Sequence, residues 1–234
     1  MKYLNEYKIF EEAGINNNTY TKRNDFPIDD NNIEFLCQKY SISDYFYEYY
    51  DGVINCRDGV DISYYHIKRL PLRFGQVIGI FNCSNNGLES LSGSPSEVST
   101  DFYCSNNDLS SLEGGPDKVG RNFVCCENNL TSLSGSPSHT GGTFYCTDNN
   151  ILSLEGIGDV VGSIFCSGNP IYFIVKWFIR KHNKNELIEL FNDTDIIQGD
   201  KIIYDRLVWF FEEIGVDLPN LDKDIISKNY KIIR

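Results

Sequence analysis

The chain has 234 residues, of which 41 % are hydrophobic and 14 % aromatic, so it can bury a packed core and is not predominantly disordered. Its formal net charge of -12 repels a polyphosphate backbone, which argues against ordinary nucleic-acid binding. Its 8 cysteines are too sparse for a small disulfide-stapled scaffold. The start MKYLNEYKIFEEAG lacks the apolar core of a signal peptide, and no window approaches the roughly eighteen apolar residues of a membrane span. We therefore expect a cytoplasmic protein with reduced thiols and no membrane partner.

Residues 1–52 carry no repeat and are predicted to form an N-terminal cap. Asp30 to Lys39 has a plausible cap residue and apolar side chains at helical spacing. Tyr45 to Ile62 alternates in polarity and contains two Asp-Gly turn signals, which predicts a hairpin. We expect this helix and this hairpin to cover the open end of the sheet that follows.

A repeat of 21 residues fills the middle of the chain. Phenylalanine stands two residues before the repeated cysteine, asparagine three after it, and leucine five and eight after it, giving the unit F-x-C-x-x-N-x-L-x-x-L-x-G-x-P. An atypical first copy has Val60 in the phenylalanine position and Ile62 in the cysteine position. The repeated cysteines are Cys83, Cys104, Cys125, Cys146 and, after 20 residues, Cys166.

Each part of the unit has a physical interpretation. The Phe-x-Cys alternation predicts a short strand with both side chains facing inward. No unit can bury its apolar face alone, so consecutive units must stack into a solenoid, predicted for residues 53–170. Stacked asparagines can satisfy backbone groups of the turns, which predicts a hydrogen-bonded ladder. The ladder residues are Asn86, Asn107, Asn128, Asn149 and Asn169.

The repeat carries a family resemblance. FYCSNNDLSSLEGGP, FVCCENNLTSLSGSP and FYCTDNNILSLEG match the L-x-L-x-x-N-x-L portion of the leucine-rich repeat, with Phe and Cys in two Leu positions. Over residues 53–172 the chain resembles the short-unit, Cys- and Asn-containing leucine-rich repeat proteins of tailed phages and large viruses. The resemblance implies a parallel β-sheet horseshoe of about six short units. It also implies a solenoid used for protein recognition, and it does not name a partner. Our leading hypothesis is a non-enzymatic viral module whose concave face binds a host protein in the host cytoplasm, with inhibition of a host defence or metabolic protein as its purpose.

Residues 171–234 change to helical spacing and are predicted to form a C-terminal helical cap. Three helices are expected, over Ile171 to Lys181, Lys184 to Phe191 and Lys201 to Ile214. Ten of the 21 Lys and Arg residues lie after residue 169. The excess of negative charge therefore belongs to the solenoid and the N-terminal cap.

The pattern predicts no catalytic residue, metal or cofactor. One thiol per turn on parallel vectors does not provide the converging ligands that zinc requires, and in-register cysteines have poor disulfide geometry. We interpret the repeated cysteines as packing residues. Cys126 follows Cys125 directly, so alternation turns it outward and makes it the thiol most open to modification.

The candidate binding residues lie at the outward strand positions. In-register stacking predicts a stripe of Tyr103, Val124, Tyr145 and Phe165 on the concave face, beside an acidic edge of Asp101, Glu127 and Asp148. Exposed strand positions favour aromatic residues in any protein, but tyrosine and phenylalanine on an open sheet are also typical of interface anchors. The acidic edge predicts a protein partner with a basic surface.

Two other functions remain open from the sequence. The chain is acidic enough to mimic nucleic acid and occupy a DNA-binding protein, and this decoy would depend on Asp101, Glu127 and Asp148. Alternatively, it is a virion or self-associating structural protein that uses its helical end. The expected contacts would then be Trp177, Trp209, Phe210 and Phe211.

Overall fold

The computed structural model describes residues 30–42, 47–50, 52–218 and 227–234. The chain coils into stacked turns, and each turn contributes one short strand to each of two parallel sheets. The predicted repeat solenoid is therefore confirmed. The second sheet was not predicted.

The Phe-Cys sheet is built from the Phe-x-Cys segments of the repeat. Its six strands pair in register, so that Phe102 lies between Phe81 and Phe123. The number of strands agrees with the expected six units. The strands are β3 (Val60–Asp61), β5 (Phe81–Asn82), β7 (Phe102–Tyr103), β9 (Phe123–Val124), β11 (Phe144–Tyr145) and β13 (Ile164–Phe165).

The second sheet runs along the other side of the turns. Apart from the first pair, its strands are parallel. Each two-residue strand contains one inward and one outward residue, which is too short to produce a recognisable alternation of apolar and polar residues in the sequence. The strands are β1 (Tyr47–Tyr50), β2 (Val53–Cys56), β4 (Phe74–Val77), β6 (Glu97–Val98), β8 (Lys118–Val119), β10 (His139–Thr140) and β12 (Asp159–Val160).

The core consists of columns of identical side chains. The Phe102 ring stacks on Phe81 and Phe123 with centroid separations of 5.4 and 5.3 Å, and the Phe123 and Phe144 centroids are 5.1 Å apart. The repeated cysteines and both leucine positions are also buried. Each turn completes the packing of its neighbour, as expected for a solenoid.

The predicted asparagine ladder is present in the Phe-Cys turns. Asn128 represents it: the side-chain amide nitrogen donates to the carbonyl oxygens of Cys104 (3.1 Å), Cys125 (3.2 Å) and Cys126 (3.1 Å). Its Oδ1 accepts from the backbone N–H of Leu109 at 3.1 Å. Each asparagine thus joins its own turn to the preceding one. The equivalent bonds are made by Asn86, Asn107, Asn149 and Asn169.

The repeated glycine is required by the return of each turn. It has a φ of 95° at Gly93 and 88° at Gly156, in the left-handed region that glycine occupies without strain. A Cβ on Gly156 would lie 2.8 Å from the carbonyl oxygen of Leu133, which leaves no space for a side chain. Glycine is therefore required at this position both for its left-handed backbone conformation and for the close approach of neighbouring turns.

The N-terminal helix α1 covers Asp30–Lys39, as predicted, and buries Ile33 and Cys37. The predicted hairpin forms from β1 and β2, which pair antiparallel. The strand β2 also pairs in parallel with β4, so the hairpin extends the N-terminal edge of the second sheet. Residues 1–29, 43–46 and 51 of the predicted cap lie outside the described residues.

The C-terminal end differs in detail from the three predicted helices. The helices are α2 (Tyr172–Val175), α3 (Lys184–Asp193) and α4 (Tyr204–Glu213). The remainder of the first predicted helix is a run of turns, and it buries the apolar side chains that the helix was expected to bury. The spacing of apolar residues therefore could not distinguish a helix from these turns. Residues 201–203 instead form a strand in a small sheet ordered β14 (Ile197–Gln198), β15 (Lys201–Ile203), β16 (Lys231–Ile233).

This end packs on the last turns of the solenoid. The Tyr230 hydroxyl donates to the carbonyl oxygen of Leu152 at 2.8 Å. Phe210 and Phe211 are fully buried, so the expectation that they form external contacts is wrong: they are the core of this end. Trp177 and Trp209 are each 45 % exposed.

Candidate functional site

The candidate site is the outer face of the Phe-Cys sheet. Each strand turns the residue between Phe and Cys outward, and the parallel register aligns these residues across neighbouring strands. Tyr145 and Phe165 stack with centroids 5.1 Å apart and an interplanar angle of 8°. Phe165 is 38 % exposed, and the other three residues are half-buried. We call this row the aromatic stripe: Tyr103, Val124, Tyr145 and Phe165.

The aromatic stripe occupies only the C-terminal part of its row. In the first two strands the same position holds Asp61 and Asn82, which pair in register with each other and with Tyr103. The Asp61 carboxylate accepts hydrogen bonds from the backbone and hydroxyl of Ser63. The row therefore changes from polar to apolar along the solenoid.

The next row contains small side chains. Ser105, Cys126 and Thr147 are half-buried and follow the repeated cysteines. The Ser105 hydroxyl accepts a hydrogen bond from the backbone N–H of Cys126 at 3.0 Å. This row provides a flat polar strip beside the aromatic stripe.

The acidic edge contains two of the three predicted carboxylates. Glu127 and Asp148 are exposed, with φ values of 53° and 56° in the left-handed region. Asn85 and Asn106 occupy the same position with φ values of 57° and 54°. The first asparagine of the Asn-Asn doublet is therefore a turn residue, and only the second belongs to the ladder.

The placement of Asp101 on the exposed acidic edge is wrong. Asp101 is only 5 % exposed, because its Oδ1 accepts from the backbone N–H and side-chain amide of Asn122 at 3.1 and 2.7 Å. Its Oδ2 lies 3.7 Å from a guanidinium nitrogen of Arg121. Asp101 thus joins two turns. Burial, and then the nearby Asp101 carboxylate, raise the pKa of Tyr103.

Replacing Glu127 with Asn is expected to stabilise the protein by about 1 kcal/mol, because asparagine tolerates the left-handed conformation better than glutamate. Urea denaturation measures the change in unfolding free energy. The matched control is Asn106→Glu, which places glutamate at the same conformation one turn earlier and should cost a similar amount. Equal stability of all three proteins would contradict this assignment.

The outer face of the second sheet is chemically different. In strands β4 to β12 of this sheet the outward residues are polar and pair with one another: Lys118 lies 3.5 Å from Glu97, and His139 lies 3.1 Å from Asp159. Gln76 also donates to Glu97 at 3.3 Å. Both faces are outward strand positions of the same solenoid, yet among the strands whose side chains the structure describes an aromatic row lies on the Phe-Cys sheet and not on strands β4 to β12 of the second sheet. A general strand preference for aromatic residues does not explain that difference.

The cysteines form a buried column. Of the eight cysteines, Cys126 is half-buried and the other seven are buried. Burial raises the pKa of Cys166 to about 12 and, with a smaller contribution from Cys37, that of Cys56 to about 12. It also raises the pKa of Cys104, Cys125 and Cys146. The column thiols therefore remain protonated and unreactive near neutral pH.

Brief treatment of the native protein with N-ethylmaleimide at pH 7.5 is expected to modify Cys126 first. Mass spectrometry of the intact chain and of its peptides measures the adduct. Cys126→Ser should remove the rapid reaction, and denaturation should expose the other thiols. Rapid modification of a buried column cysteine in the Cys126→Ser variant would contradict the packing described above.

The described part of the chain contains no group of three or more His, Cys, Asp and Glu side chains that could hold a metal ion. Within the same residues, no helix combines the length and apolar character needed to cross a bilayer. Comparisons with protein-family models, curated proteins and solved structures found no match. The geometry of the solenoid surface is therefore the feature that bears on function.

Proposed function

We propose that the protein is a non-enzymatic protein-binding module, and that the outer face of its Phe-Cys sheet is the binding surface. The supporting observation is the contrast between the two sheets: one outer face is a row of mutually paired polar groups, and the other carries the aromatic stripe. Half-buried aromatic side chains lose little conformational entropy on docking, which makes them effective interface anchors.

The chemistry of this face favours a partner with both apolar and basic groups. Glu127 and Asp148 are exposed beside the aromatic stripe, and the net charge of -12 attracts a basic surface over a longer range. The resemblance to leucine-rich repeat proteins of phages and large viruses makes a host protein the first class of partner to test. The column of buried thiols, Cys83, Cys104, Cys125, Cys146 and Cys166, favours a reducing compartment such as the cytoplasm.

The double variant Tyr103→Ala/Tyr145→Ala is expected to lose partner capture while it remains folded. Both side chains are half-buried on the outer face, so their removal should cost only about 1 kcal/mol each. The measurement is quantitative affinity purification from the cells in which the protein is made, followed by mass spectrometry. Thermal unfolding establishes that the variant is folded.

The matched control is Trp177→Ala/Trp209→Ala, which removes two exposed aromatic residues at the helical end. This control should retain the partner. If the tyrosine variant retains it and the tryptophan variant loses it, the binding surface is at the helical end and the proposal fails. Light scattering during size-exclusion chromatography distinguishes capture of another protein from self-association.

The acidic-decoy alternative makes a different prediction. Its binding should fall steeply with added salt and should be lost in Glu127→Gln/Asp148→Asn even when both tyrosines are present. Our proposal predicts that this variant reduces affinity moderately, since the aromatic stripe supplies the anchors. Retention of full binding by the tyrosine variant, with loss in the carboxylate variant, would favour the decoy.

A further inference from the structure

A basic cleft lies between the last turn of the solenoid and the helical end. It has a volume of about 400 Å³ and is lined by residues 161–163 on one side and by residues of the segment 179–184 on the other. Arg180, Lys181, His182 and Lys184 all contribute to the lining, which contains no carboxylate. This concentration of positive charge agrees with the location of ten of the 21 Lys and Arg residues after residue 169.

Lys184 is the most buried of the four basic residues that line the cleft, with an exposure of 7 %. Its ammonium nitrogen donates to the carbonyl oxygen of Val161 across 3.4 Å, a long hydrogen bond that uses one of three N–H donors. Among the described residues, Lys184 forms no ion pair. An anion in the cleft would give this ammonium an opposite charge and a further hydrogen-bond acceptor.

The start of helix α3 adds a second source of positive potential. The helix has ten residues and begins at Lys184, and Asn183 at its N-cap makes no side-chain hydrogen bond to the helix. Helix N-termini carry unpaired amide donors and partial positive charge, which favour oxyanions. The first-turn acidic residue Glu186 is exposed and is not among the residues that line the cleft.

We propose that this cleft binds a small molecule bearing a phosphate monoester. A guanidinium such as that of Arg180 matches a phosphate with two parallel hydrogen bonds, and lysines add charge without directional demand. The volume is at the lower end of the range for small-molecule sites, which leaves room for a phosphate and a sugar-sized group. This site is separate from the protein-binding surface proposed above.

Isothermal titration of the full chain with inorganic phosphate and with ribose 5-phosphate tests the proposal. Ribose 5-phosphate is expected to bind with a dissociation constant below about 1 mM and more tightly than inorganic phosphate. Arg180→Gln/Lys181→Gln should weaken both by about tenfold or more, since it removes two charges from the lining. The matched control Lys201→Gln/Lys228→Gln removes two exposed lysines outside the cleft and should bind as the wild type does.

Lys184→Met removes the Lys184 ammonium and so tests its role in binding. Circular dichroism establishes whether this variant folds. Arg180→Gln/Lys181→Gln decides the question if Lys184→Met does not fold. The proposal is overturned if ribose 5-phosphate produces no heat beyond that of sodium chloride at equal ionic strength, or if Arg180→Gln/Lys181→Gln binds it as tightly as the wild type does. It is also overturned if inorganic phosphate binds and ribose 5-phosphate does not.

Discussion

Replacing Asn128 with Ala is expected to lower the free energy of unfolding by about 3–5 kcal/mol, which is a large effect for the substitution of a single polar residue. The Leu109 N–H would lose its acceptor, and the carbonyl oxygens of Cys104 and Cys125 would lose the amide that bridges two turns. Because these groups are buried, water cannot replace the missing bonds without opening the solenoid.

Urea denaturation followed by circular dichroism measures this loss. The matched control is Asn129→Ala, the neighbouring residue, whose side chain is exposed and whose backbone bond to Leu109 is unaffected. It should change stability by no more than about 0.5 kcal/mol. A similar, small cost for both substitutions would contradict the structural role of the ladder.

The variant Asn128→Asp separates the donor role from the acceptor role. An ionised carboxylate would face the carbonyl oxygens that now accept from the amide, so its folded-state pKa should be raised above the unfolded value of about 4. A group with a raised folded pKa binds more protons in the folded state. The variant should therefore be most stable at low pH and lose stability as the pH rises above about 4.

Replacing Phe123 with Ala is expected to cost about 4 kcal/mol. The ring is fully buried and stacks between Phe102 and Phe144. Its neighbours are held by the paired strands on either side, so they cannot collapse into the space that the ring leaves. The loss therefore includes both the transfer of the ring and the cavity.

The control for this substitution is Phe165→Ala, because Phe165 lies on the outer face and is 38 % exposed. We expect it to cost less than about 1.5 kcal/mol, mostly through the lost stacking with Tyr145. Denaturation curves for the two variants measure the difference. If Phe165→Ala were the more destabilising, the inward and outward sides of the strand would have been assigned incorrectly.

The features that the sequence predicts well are those that every turn repeats. Phe102, Cys104 and Asn107 recur 21 residues later in chemically identical positions, so their burial and pairing follow once the turns stack in register. The aromatic stripe is predictable for the same reason, because alternation places Tyr103 between two inward side chains. Repetition lets one local pattern determine a long-range contact.

The features that the sequence does not reveal depend on single contacts. The burial of Asp101 depends on its hydrogen bond to Asn122 in the next turn. Most other neighbouring turns do not have an Asp and an Asn at these two positions. Strands β6, β8, β10 and β12 of the second sheet have two residues each, too short for a recognisable alternation. At the helical end, β15 replaces the start of the helix predicted from Lys201, and it follows a turn at Gly199 (φ 61°). Each of these is decided by packing between segments distant in sequence.

The proposed binding role of the Phe-Cys sheet is tested most directly by site-specific photo-crosslinking. A photoreactive phenylalanine analogue at Tyr145 places the reactive group in the aromatic stripe, and the same group at Lys118 lies on the exposed outer face of the second sheet. We expect irradiation of the protein in the cells that make it to crosslink a partner from position 145 and not from position 118. Crosslinking of that partner from position 118 alone would contradict the proposal.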